Sequence, residues 1–399
     1  MFFSRLSFWF WLRAAWVRFS ITLAGASMDK IRISIYLPLL EIGGAERVML
    51  LLAGGFLKKG YAVDLVLSKK TGLLLQMVPE GVRIIDLGGK RMLTSFLPLA
   101  HYLRREHPDA IISGLDIANI IVVWAKLLAF SRTRTLLTVQ SQMSIMAKDS
   151  GRIRDSLYPW LLRLLYRYAY GIIATSNGAA LDASRSTGIP LLKIRVVNNP
   201  IDIESILQLA RADVEHSWFA ADNNIPVILA VGRLTSAKDY PTLLRAFTLL
   251  HQQRSTRLVI LGDGDERSKL EALIGQMGIA ADVNLPGFDL NPYRYMSRCN
   301  VFVLSSYFEG FANVLAEALA CGAQIVSTDC PSGPAEILEN GKDGHLVPVG
   351  DAVALADAIE NALDHPLPVE SLKERAKAFS NEKAVSAYLL ALGLSPNGH

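Results

Sequence analysis

The chain has 399 residues, 51% hydrophobic and 20% charged, a balance that excludes a disordered protein and is long enough for two folded domains. Its net charge of +4 comes without a dense basic tract, so nothing points to nucleic acid, whereas a diphosphate-bearing substrate or an anionic membrane surface suits it better. Three cysteines, Cys299, Cys321 and Cys330, form no C-x-x-C pair, which points to a reduced, cytosolic compartment, and the seven histidines show no metal-ligand spacing.

Residues 1–27 differ from the rest. Phe2, Phe3, Phe8, Trp9, Phe10, Trp11, Trp16 and Phe19 stand among only three charges, Arg5, Arg13 and Arg18. Arg13 and Arg18 interrupt the apolar core, so no run of about 18 apolar residues exists, and the arginines share no helical face. Three readings stay open: a start at Met28 with overrun upstream, an interfacial anchor built on aromatic and Arg residues, or a signal cleaved near Ala24–Gly25–Ala26.

From Met28 onward apolar strands alternate with helices, the pattern of parallel sheets. Strands are expected at Ile31–Leu37, Tyr61–Leu67, Val82–Asp86, Ala110–Ser113, Thr135–Val139, Gly171–Thr175 and Ile194–Asn198, with helices at Ala45–Lys59 and Leu157–Tyr168 among others. Asn198–Asn199–Pro200 punctuates the chain and sets the boundary between domains 28–198 and 199–380. The second half opens with a polar, helix-like connector. Strands follow at Val227–Val231, Arg257–Leu261, Val283–Leu285, Val301–Leu304 and Gln324–Ser327, then a turn-rich segment to Gly350. Helices are expected at Tyr240–Gln252, near Glu266–Met277, at Val353–Leu363 and at Asn381–Leu392. The last belongs to a C-terminal segment, 381–399, that can pack back on the first domain. The fold class is α/β: two doubly wound, Rossmann-like domains facing across a cleft, with ligands at the carboxyl ends of the strands.

Chemistry concentrates at strand ends. Gly43 and Gly44 follow the first strand and open a helix, where bare backbone and N–H donors can meet a ligand; alone, they also suit a plain tight turn. Arg233 and Lys238, five residues apart after the strand at Val227, can close on a diphosphate from two sides. Gly262–Asp263–Gly264 is a common strand-to-helix turn. The strand at Val301 leads through Glu309 and Gly310 into a helix expected from about Phe311 to Cys321, with Glu317 about a turn and a half inside. Carboxylates so placed can accept from sugar and ribose hydroxyls, although both can equally be solvated. Asp116, Asn119 and Gln140 fall at cleft-edge positions of the first domain, where they can also be capping residues. His345 reads as a satisfied loop residue. No metal site is expected.

The stretch SYFEGFANVLAEALACG, from Ser306 to Gly322, resembles the E-x7-E signature of retaining nucleotide-sugar glycosyltransferases of the family 4 kind, which have the GT-B fold. The resemblance runs from about Lys30 to Asp351 and includes GGAER at Gly43 and GRLTSAKDYPTLLRAF at Gly232. It implies transfer of a sugar from a nucleotide diphosphate donor, with UDP the expected nucleotide, to a glycan hydroxyl with retention of configuration, and with no metal or other cofactor. It places Arg233 and Lys238 on the pyrophosphate and Glu309 on the donor sugar. It sets Glu317 on the ribose, Gly43, Gly44, Gly262 and Gly264 beside the donor, and Phe288 at the base. Gly310, Phe311, Asn313, Val314 and Leu315 complete the donor-binding segment. Family members often carry a His near Ile117; this chain does not, and Asp116 or Asn119 are the substitutes at hand. The loop Asp329–Glu336 resembles one of polysaccharide-building members, which implies a lipid-linked or lipopolysaccharide acceptor in bacterial surface polysaccharide biosynthesis, at the cytoplasmic face of the membrane. A UDP-sugar 2-epimerase of the same architecture and a non-catalytic membrane partner are the alternatives.

Overall fold

The computed structural model describes residues 30–41, 43–89, 92–140, 142–144, 153–220 and 223–395. The readings made for 1–27 and for a start at Met28 lie outside these residues.

Strand β1 (Arg32–Leu37) is buried from its second residue onward. It pairs in parallel with β2 (Ala62–Leu67) on one side and β4 (Ala110–Ser113) on the other. Strands β3 (Arg83–Asp86), β5 (Arg134–Val139), β6 (Gly171–Ala174) and β7 (Ile194–Val196) complete a sheet of order β3-β2-β1-β4-β5-β6-β7. Runs such as Ile111–Ile112 and Leu136–Leu137 carry apolar side chains on both faces because helices cover both. The order reverses between β1 and β4, which opens a crevice at the carboxyl ends of those strands.

The second sheet repeats the plan. Strands β8 (Val227–Val231), β9 (Arg257–Leu261), β10 (Val283–Gly287), β11 (Val301–Leu304), β12 (Gln324–Thr328) and β13 (His345–Val347) lie in the order β10-β9-β8-β11-β12-β13, again parallel. Its reversal falls between β8 and β11. Val227, Leu229, Val259 and Phe302 pack on one side with Leu315 and Leu319. Ile228, Leu258 and Val301 pack on the other with Leu243 and Phe247.

The chain crosses between domains twice, and the crossings touch. Ile201 bridges to Ser380, and Ile201 N–H donates to Phe379 O at 2.9 Å. Beyond that bridge the helix Asn381–Ala391 returns to the first domain. There Asn381 Nδ2 donates to Leu51 O at 2.9 Å, and Arg134 Nη1 donates to Leu392 O and Gly393 O, each at 2.9 Å.

The helix-like connector is the helix Ile203–Leu209. Two elements go beyond the sequence reading: the turn-rich segment contains β13, and a further helix spans Val369–Ala376. β13 has three residues on an edge, and half of Val369–Ala376 is charged, with only Leu372 and Ala376 buried. Both are too short or too polar for periodicity to mark. His345 is accordingly the first residue of a strand rather than part of a turn, and partial burial lowers its pKa.

Candidate active site

The two crevices face each other and form a cleft of ≈ 670 Å³. Strand ends deliver its lining in order. After β1 come Gly43, Gly44 and Arg47, and after β5 comes Gln140; after β8 come Gly232, Arg233 and Lys238. β9 contributes Gly262 and Asp263, and β10 Phe288 and Asp289. β11 contributes Glu309, Gly310, Phe311, Ala312, Asn313, Val314 and Glu317. The neighbouring turns are held against one another by their glycines. A Cβ on Gly262, at φ +146°, would lie 1.9 Å from Gly232 O, and one on Gly264 would lie 2.4 Å from Leu234 O. Gly264 therefore supports the loop from behind and is not itself part of the lining.

Lys238 Nζ donates to Glu309 Oε1 at 2.6 Å, and Ser306 Oγ donates to the same oxygen at 2.6 Å. Both charged side chains are largely shielded, at 19% and 13% exposure for Lys238 and Glu309, so their attraction is screened less than on an open surface. Arg233 stands across from Glu46: burial raises the Glu46 pKa, and the Arg233 charge opposes that rise. Nearby Cys330 is no candidate nucleophile, since burial, followed by the Glu309 charge, pushes its thiol up to about 12.

The expected helix start at Phe311 moves to Asn313. Ala312 sits in left-handed backbone, at φ +67° and ψ 58°, which breaks the helix there and turns Phe311 into the core beside Phe379. Glu317 is therefore the fifth helical residue, nearer the mouth than a start at Phe311 implies. It is half-buried, and loss of solvation raises its carboxyl pKa, opposed by the Arg47 charge and by Tyr293, whose hydroxyl donates to Oε1 at 3.4 Å. Asn313 and Val314, in the first turn of this helix, line the cleft, where the N–H groups of a helix start can meet an anion.

Other expected residues fall elsewhere. Leu315 is fully buried in the second domain's core. Asn119 is buried as well: its side chain accepts from Ser113 Oγ at 2.6 Å and donates to Thr138 O at 2.8 Å, tying β4 to β5. Asp116 begins the helix Asp116–Ala129, but its side chain lies outside the described set. Gln140 does line the cleft.

Sequence reasoning assigned no role to Arg47, or to a set of polar contacts joining the domains behind Glu309. Gln142 Nε2 donates to Ser332 Oγ at 3.0 Å, and Ser332 Oγ donates onward to Glu309 O at 2.8 Å. Ser176 Oγ donates to Gly310 O at 2.9 Å. Glu336 accepts from Asn177 Nδ2 at 3.0 Å and from Gly178 N at 3.2 Å. Asn199 Nδ2 donates to Asn313 Oδ1 at 2.9 Å. The peptide segment carrying Glu309 is thus held from both domains. Among the described residues no three His, Cys, Asp or Glu side chains converge as a metal site would, and no helix is long and apolar enough to cross a membrane.

Residues 42–205 match the family model described as Glycosyltransferase Family 4, and residues 215–379 the model described as Glycosyl transferases group 1. The chain is 31% identical over 370 residues to the N-acetylgalactosamine-N,N'-diacetylbacillosaminyl-diphospho-undecaprenol 4-alpha-N-acetylgalactosaminyltransferase of Campylobacter jejuni, covering 89% of this chain and 97% of that protein. It is 27% identical over 367 residues to the lipopolysaccharide core biosynthesis glycosyltransferase LpsE of Rhizobium meliloti, with the same coverage of 89% and 97%. In fold it is similar to HepE of Anabaena in complex with UDP-glucose, with TM-score 0.74, 19% identity and coverage of 91% and 99%. It is likewise similar to WaaG, a glycosyltransferase involved in lipopolysaccharide biosynthesis, with TM-score 0.67, 15% identity and coverage of 89% and 99%.

Proposed function

Since this chain belongs to the glycosyltransferases, with a Family 4 first domain and a group 1 second domain, we propose that it moves a sugar from a UDP-sugar onto a hydroxyl of a lipid-linked or lipopolysaccharide glycan. Transfer retains the anomeric configuration and takes place at the cytoplasmic face of the membrane, with the enzyme bound peripherally. The observation that carries this reading is the grouping of Arg233, Lys238, Glu309 and Glu317 on one wall of the cleft, opposite Gly43 and Gly44. The names of the two relatives support the acceptor class.

The diphosphate lies between the Asn313 helix mouth and the cations. Arg233 grips it with a planar fork, Lys238 adds a point charge, and together they neutralise the charge that grows as the nucleotide leaves. This is the work a metal does elsewhere, and here we assign it to the two side chains. Glu309 accepts from donor-sugar hydroxyls, and Glu317, in its ionised form, accepts from the ribose diol. The acceptor hydroxyl approaches on the face from which the phosphate departs. As the anomeric C–O bond to phosphate breaks and the new C–O bond forms, the departing phosphate oxygen takes the acceptor's proton. Configuration is thereby kept without a protein nucleophile.

Calorimetric titration with UDP, GDP and ADP tests the donor assignment. UDP should bind tightest, and Arg233→Ala should weaken it by about tenfold or more, the scale of one charge-assisted contact. Equal binding of all three, or none, would rule the UDP assignment out.

A further inference from the structure

The helix Asp116–Ala129 is apolar on both sides. Ala118, Ile121, Val122 and Ala125 face the sheet and are buried. Trp124, Leu127 and Leu128, at i, i+3 and i+4, form an outward stripe where a surface helix normally carries polar groups. Trp124 is 43% exposed. The helix ends on Phe130, held in left-handed backbone at φ +50° with its ring 87% exposed. Glycine usually fills such a position, and no packing among the described residues explains a phenyl ring there.

Neighbouring helices extend the surface. On one side the Phe96 ring meets Trp124 edge-on at 6.3 Å, and Arg104 donates to Leu128 O at 2.6 Å. On the other, Lys126 Nζ donates to Tyr168 O at 3.1 Å, which ties in the stripe of Ile153–Leu165 and the turn after it. That stripe alternates Trp160 and Leu164 with Arg163 and Arg167, all exposed. The charged groups described on this face, Lys126, Arg163 and Arg167, are cations. The sequence has no Asp or Glu between Asp116 and Asp149, nor between Asp155 and Asp182, whereas Lys126, Arg132, Arg163 and Arg167 fall inside those intervals.

We propose that this face of the first domain, centred on Trp124 and Trp160, is the surface by which the protein lies on an anionic lipid bilayer. Indole rings settle at the head-group level, aliphatic side chains enter the acyl boundary, and the cations meet anionic head groups. A second copy of the chain is the less fitting occupant, because two such faces would set Lys126, Arg163 and Arg167 of one copy against the same cations of the other. The surface rests on the peripheral-membrane reading above for its purpose, but its test needs neither donor nor acceptor.

The test is flotation of the full chain with vesicles of mixed phosphatidylglycerol and phosphatidylethanolamine, against vesicles of phosphatidylcholine. The protein should float with the anionic vesicles, and salt should release it. Trp124→Ala with Trp160→Ala should lower partitioning about tenfold or more. Arg163→Glu with Arg167→Glu should do the same and flatten the salt dependence. Melting temperatures within a few degrees of wild type would show that the variants still fold. Absence of flotation in the wild type would overturn the proposal. So would variants that float like wild type, which would move membrane attachment to another segment. A wild-type dimer that these substitutions dissociate, with no vesicle binding, would assign the face to a second copy instead. Transfer activity is read separately, so an inactive protein that floats leaves this surface standing while removing the enzymatic reading.

Discussion

Lys238 and Glu309 are joined at 2.6 Å, and Glu309 receives Ser306 at the same oxygen. The cation assigned to the diphosphate is therefore already held by the carboxylate assigned to the sugar, so each sets the other's position before the donor arrives. Lys238→Ala and Glu309→Ala should each lower kcat by about a hundred- to a thousandfold, the scale of losing one preorganised electrostatic contact. The double variant should lose far less than the product of the two, because each single change already disorganises the other group. A double-mutant cycle on kcat/KM checks this, and independent, multiplying losses would contradict the coupling.

Glu317 has a raised pKa, caused first by desolvation. Its contribution to folding is therefore fully present below the unfolded-state pKa and is lost as pH rises through the folded-state value. Glu317→Gln removes that loss. Without nucleotide, the variant should melt at or above wild type at neutral pH, and the difference should shrink toward pH 4. Its affinity for UDP should fall about tenfold, since the ribose loses a charged acceptor. Thermal melts across pH together with calorimetry read both effects. A variant that melts lower at neutral pH would mean that the Arg47 and Tyr293 contacts outweigh the desolvation.

Ser332 sits at φ +65° while its hydroxyl connects Gln142 to the backbone of Glu309. Left-handed backbone costs a residue with a Cβ about 1 kcal/mol or more, a strain often kept where geometry matters. Ser332→Ala keeps the strain and loses both hydrogen bonds; Ser332→Gly loses both and relieves the strain. Both should lower kcat about tenfold with donor affinity unchanged, and the Gly variant should be the more stable by about 1 kcal/mol. Urea denaturation beside steady-state kinetics separates the two. Equal activity of both variants with wild type would show that the bridge does not position Glu309.

The return helix makes the first domain depend on the chain's last turns. Val385 is 1% exposed and packs against Gly55. Val385→Asp places a carboxylate in that contact and should destabilise the protein by about 3 kcal/mol or more, read by urea unfolding. A change below about 1 kcal/mol would mean the helix is dispensable to the fold.

The parts of the site that the sequence makes legible are those that sit at strand ends. Apolar runs locate β1, β8 and β11, a parallel sheet sends its next residues to the cleft, and Gly43, Arg233 and Glu309 follow those runs directly. What stays hidden depends on contact between distant segments. Gln142 and Ser332 are 190 residues apart, Asn177 and Glu336 159, and Asn199 and Asn313 114, so no local pattern links them. The resemblance sets Leu315 in the donor segment and a strand end sets Asn119 at the cleft edge, but neither tells which way the side chain turns, and both are buried. The left-handed turn at Ala312 was equally hidden, because alanine gives no sign of positive φ.

The most direct measurement of the central claim offers the purified protein UDP-, GDP- and ADP-sugars, with and without an extract of bacterial lipid-linked glycans, and follows nucleoside diphosphate release and product configuration. The account predicts UDP release from one donor that rises with the extract, an α-linked product from an α-linked donor, and loss of both in Arg233→Ala. Release of an epimerised sugar without extract, or an inverted product, would contradict it.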